Sequence, residues 1–100
     1  MALHIFTVFA EAPSVDRAFW AAQQNPVMAG RARYELLDPT TIHPSDQAAF
    51  QRAEWMYGVQ PQEDKVDLAG PDTNTVRAIR VHTTNKGMKR LMFFGVRRAR

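Results

Sequence analysis

Apolar and polar positions change their period several times along the chain, and each change marks an element. From Leu3 to Ala10 both alternating sets are apolar, with Phe6 and Val8 on one side and Ile5, Thr7 and Phe9 on the other. A strand of that kind is covered on both faces, which predicts a central place in a sheet beside a C-terminal hairpin. After Ser14, a good N-cap, the period lengthens: Val15, Ala18, Phe19 and Ala22 fall on one helical face, and Asn25-Pro26 ends the helix. Residues 27–37 fit two templates. Ala32, Tyr34 and Leu36 alternate with Arg31, Arg33 and Glu35 as in a half-exposed strand, whereas Val27, Gly30, Tyr34 and Leu37 would line a helix opened by Asn25-Pro26. Gly30 favours the strand, closed by Asp38-Pro39, with Thr40–His43 as a connection.

A second helix starts at the Ser45 cap, with Asp46 suited to its positive end, and puts Ala49, Phe50, Ala53, Met56 and Tyr57 on its apolar face before Gly58 stops it. Gln60–Asp64 reads as a polar loop, Lys65–Ala69 as a short edge strand, and Gly70-Pro71-Asp72 as the turn that delivers the chain to the hairpin.

The last quarter organises the rest. Thr75–Thr83 is rich in β-branched residues, Met88–Val96 in large apolar ones, and Thr84-Asn85-Lys86-Gly87 between them offers a type I turn with Gly87 free to take positive φ. With Thr84 opposite Met88, Val81 faces Leu91, Ile79 faces Phe93, Ala78 faces Phe94, Val76 faces Val96, and His82 lies beside Arg90. The expected fold is α+β: a mainly antiparallel sheet of four or five strands with two helices packed on one face. It forms a single domain over residues 1–100, with the hairpin at about 74–98.

Composition adds a charge asymmetry. Residues 1–72 carry five basic and ten acidic side chains, net −5, while residues 73–100 carry eight basic and no acidic ones, net +8. Either an anionic partner or the acidic helices must answer the basic end. The chain has no cysteine, which excludes disulfides and thiolate metal sites and suits a reducing, cytoplasmic setting. No apolar run approaches the roughly 20 residues of a membrane span. The opening MALHIFTVFAEA lacks a basic start and reads as strand rather than as a signal peptide.

Candidate chemistry follows the charge. A nucleic-acid-binding hairpin ranks first, with Arg80, His82, Lys86, Lys89 and Arg90 in contact and Arg97, Arg98 and Arg100 assisting. The β-ribbon would suit a major groove, and Phe93, Phe94, Trp20 or Trp55 are candidates to stack on bases. An assembly module that binds an acidic protein, or itself as a homo-oligomer, ranks second, anchored by Trp20, Trp55 and Tyr57. A small RNA-cleaving enzyme with His82 as acid/base ranks third. His4, His43 and His82 recur at a 39-residue spacing, but their flanks differ and none has the close partner of a zinc motif, so neither a metal nor a cofactor is expected.

Overall fold

The computed structural model describes residues 3–37, 42–57 and 75–98. Its elements are β1 (Leu3–Ala12), α1 (Val15–Ala22), β2 (Arg33–Leu36), β3 (Ile42–His43), α2 (Asp46–Tyr57), β4 (Thr75–Val81) and β5 (Lys89–Arg98). The expected loop, strand and turn over residues 60–72 lie outside the described residues, as do Asp38-Pro39 and the Gly58 stop.

Local chemistry sets the boundaries of the elements. Ser14 Oγ accepts from Arg17 N at 3.2 Å and Ser45 Oγ from Ala48 N at 3.1 Å, so each helix has the cap its sequence offers. Residues 27–37 combine both templates. Asn25 Oδ1 accepts from Val27 N, Pro26 opens a single 3-10 turn ending at Met28, Gly30 takes φ +82°, and the chain then enters β2. Residues 42–43 of the expected connection form the short strand β3.

The sheet is mixed. β1, β5, β4 and β2 lie side by side in that order; β1–β5 and β4–β5 are antiparallel, while β2 and then β3 run parallel to successive parts of β4. The two antiparallel ladders are the longer ones, so the antiparallel expectation holds for most of the pairing. β1 adjoins the hairpin as expected, but among the described residues it is an edge strand and not a central one. Its apolar pattern reports coverage above and below the sheet, whereas edge or centre is decided in the hydrogen-bonding direction, which face periodicity does not see.

The helices do not share a face. α1 packs Ala18, Phe19 and Ala22 with Phe6, Val8, Val76, Ala78, Leu91 and Phe93; α2 packs Ala49 and Ala53 with the opposite set, Ile79, Val81, Met92 and Phe94. The reason is topological. β1–α1–β2 crosses the sheet in one direction and β3–α2–β4 returns, and right-handed crossovers travelling in opposite directions must lie on opposite faces. The α1 side holds the larger core, with Phe19, Tyr34 and Phe93 in an aromatic cluster at centroid distances of 5.0–6.0 Å. On the other side α2 seats through alanines, and Phe50, expected inside, is 40% exposed.

Candidate functional site

The turn end of the hairpin is fixed by residues far from it in sequence. Glu11, near the end of β1, accepts hydrogen bonds from the Thr83 hydroxyl and, at 2.6 Å, from Asn85 Nδ2; Asn85 N in turn donates to Thr83 Oγ1 at 3.1 Å. These bonds to Thr83 and Asn85 hold the Glu11 carboxyl below its usual range, with the Arg90 charge adding to them. The tight turn is Asn85-Lys86-Gly87-Met88, closed by Met88 N on Asn85 O, with Gly87 at φ +76°. It sits one residue later than the expected Thr84–Gly87, and the strand register is offset by one residue in the opposite sense. Ile79 faces Met92 and not Phe93, Ala78 faces Phe93 and not Phe94, and Arg90 lies opposite Val81 rather than His82.

This register sorts the cations onto two faces. Arg90 shares the α2 face with Glu11, its partner across the strands, and is clasped by Asp46 in the first turn of α2. Both guanidinium arms donate to the carboxylate, Nη2 to Oδ2 at 3.0 Å, and the group lies 4.9 Å from the centre of the Phe9 ring. The hydrogen bonds between them, with the opposed charges adding to these, lower the Asp46 carboxyl and raise the Arg90 guanidinium. Arg90, expected to face a ligand, is therefore neutralised within the molecule.

The α1 face carries the opposite arrangement. Arg80 faces Leu91 and Lys89 faces Ala12, and both of those apolar residues belong to the α1-side core. Arg80, His82, Lys89 and Arg90 line a shallow cavity of about 290 Å³ with Val81, Thr83 and Met88, and among the described residues no carboxylate lines it. Arg80 Nε is buried without a hydrogen-bond partner among the described residues, an N–H that protein or solvent would ordinarily satisfy. His82 and Lys89 are exposed, and Lys86 is exposed in the adjoining turn. The arrangement can hold an anion by charge and hydrogen bonding. Acid–base work by His82 would need a second proton-transfer group, for which the lining offers the Lys89 ammonium.

The other expected contacts lie elsewhere. Arg97 is eight residues along β5 from Lys89, roughly 27 Å at strand spacing, so it does not join the cavity. The side chain of Arg98 and all of Arg100 lie outside the described residues. Phe93 and Phe94 are fully buried in the two cores and cannot stack on bases. The hairpin is flanked by β1 along all of β5, so only residues 82–88 project, and a free two-stranded ribbon is not available for a groove.

Trp20 and Trp55 are 65% and 71% exposed, Trp55 with the Arg52 guanidinium 4.7 Å from its ring centre, but they belong to helices on opposite faces and form no common surface. The Tyr57 and His43 side chains are outside the described residues. His4 stands opposite Arg97, at the end of the sheet remote from His82.

Sequence reasoning missed Glu11 and Asp46, the acids that shape this end among the described residues. Asp46 was legible only as a helix-end charge, and Glu11 only as the single acid of β1; their partners are 44 and more than 70 residues away. No protein-family model, no curated protein and no solved structure matches this chain.

Proposed function

We propose that the protein holds the phosphate backbone of a nucleic-acid strand at the turn end of the β4–β5 hairpin, on the α1 face. One observation carries this: Arg80, His82 and Lys89 line a single cavity that no carboxylate of the described residues lines, beside Lys86, while Glu11 and Asp46 are engaged with Thr83, Asn85 and Arg90. Contact is through charge and is independent of base sequence, because the aromatic residues nearest in sequence, Phe93 and Phe94, belong to the cores. A site of three Lys or Arg side chains (Arg80, Lys86, Lys89) has a modest footprint, and its affinity should fall with salt at a log–log slope of about −2 for a single strand.

The test is titration of a fluorescent oligonucleotide at several salt concentrations. The chain binds with that slope, and Arg80→Ala/Lys89→Ala loses most of the affinity at low salt and most of the slope. Absence of binding at low salt, or a double variant that binds like the parent, rejects the proposal. Binding of an acidic polypeptide without binding of the oligonucleotide would transfer the site to a protein partner.

A further inference from the structure

We propose that two copies of the chain join along β1, antiparallel, to make one continuous sheet. β1 spans ten residues and pairs with β5 through all of them, and among the described residues no strand lies along its other edge. The run Leu3–Ala10 contains no Pro, no Lys or Arg and no acid, so it lacks the devices by which isolated edge strands avoid pairing. α2 seats on the neighbouring strands through Ala49 and Ala53 and leaves β1 thinly covered on that side. Ile5, Thr7 and Phe9 are only half-buried, and a shallow groove of about 470 Å³ between β1 and α2 is lined by Thr7, Phe9, Phe50 and Gln51 with the acids Asp46 and Glu54.

A second copy fits this edge because the strand complements itself. A two-fold axis at Thr7 sets Thr7 against Thr7, Phe6 against Val8 and Ile5 against Phe9, so each inner pair is β-branched or aromatic and each residue stays on its own face of the sheet. The same axis places α2 of both copies on one side, so the two grooves adjoin and Phe50 of each gains cover. The cation cavities do not oppose it, and Asp46 in each groove is already paired with Arg90. The cationic cavity of each copy lies at the Ala12 end of β1, and the axis at Thr7 separates the two Ala12 positions by ten residues, roughly 33 Å, several Debye lengths at physiological salt.

Sedimentation of the full chain over a range of concentrations tests the interface. The parent sediments at twice its 11.4 kDa chain mass, and Thr7→Lys, which sets two ammonium groups against each other on the axis, sediments as a monomer with unchanged circular dichroism. Phe50→Glu, on the exposed rim, weakens the dimer and keeps the inference testable should Thr7→Lys fail to fold. A parent that is monomeric at all concentrations, or a Thr7→Lys and Phe50→Glu pair that dimerise as the parent does, overturns it. Neither substitution touches the cation cavity, so oligonucleotide binding per chain persists in both.

Discussion

The Asp46 carboxylate takes both arms of the Arg90 guanidinium, joining the first turn of α2 to the start of β5 across 44 residues of sequence. The pair is not a large source of stability. Its side chains are 51% and 30% exposed, and ion pairs of that kind are worth less than about 1 kcal/mol. Its consequence is for charge: it removes one cation from the hairpin end. Asp46→Asn should lower unfolding free energy by less than about 1 kcal/mol in urea, and should steepen the salt dependence of oligonucleotide binding by roughly 0.7 as Arg90 becomes available to a phosphate. An unchanged slope would show that Arg90 cannot reach the ligand.

Gly87 has φ +76°, and a Cβ built there meets nothing within 4 Å. The cost of a side chain is thus confined to the backbone. Gly87→Ala should destabilise by about 1–2 kcal/mol, and Gly87→Asn by less, since Asn tolerates the left-handed region. Equal stability of Gly87→Ala and the parent in urea would mean that the turn relaxes to another type.

Tyr34 donates its hydroxyl proton to Asp16, and this bond, followed by burial and the Asp16 charge, pushes its pKa up to about 12. The folded value lies above the unfolded value of about 10. The group therefore contributes stability that is whole below about pH 10 and is lost as pH rises towards 12. Phenolate absorbance, with Tyr34→Phe subtracted to remove Tyr57, should show the late titration, and Asp16→Ala should bring it back towards 10. At the acid end the sign reverses. Glu11 and Asp46 are lowered in the folded state, so their contribution is present above about pH 4 and disappears as pH falls through their folded values.

The sequence by itself determined the two helices, the strands β1, β4 and β5, and most of the residues that fill the two cores. Ser14 and Ser45 cap the helices, Ala18, Phe19, Ala22, Ala49 and Ala53 are their buried faces, and β4 and β5 carry the β-branched and large apolar residues that fill both sides of the sheet. These features depend on periods of two and 3.6 residues and on neighbours three or four positions away, so they are written locally.

The tertiary structure decided everything that depends on which distant segments meet. Parallel pairing of β2 and β3 with β4 sent the helices to opposite faces; Glu11, closing on Thr83 and Asn85, accompanies a turn and register one residue from the expected ones; Asp46 withdrew Arg90. A one-residue change of register exchanges the faces of a whole strand relative to its neighbour, and with it the choice of which cations share a cavity. That choice brought Arg80, His82 and Lys89 together and left Arg97 at the other end of the sheet. Charge asymmetry along a chain is a sum over residues, whereas a binding surface is a matter of which of those residues face the same way without a carboxylate between them.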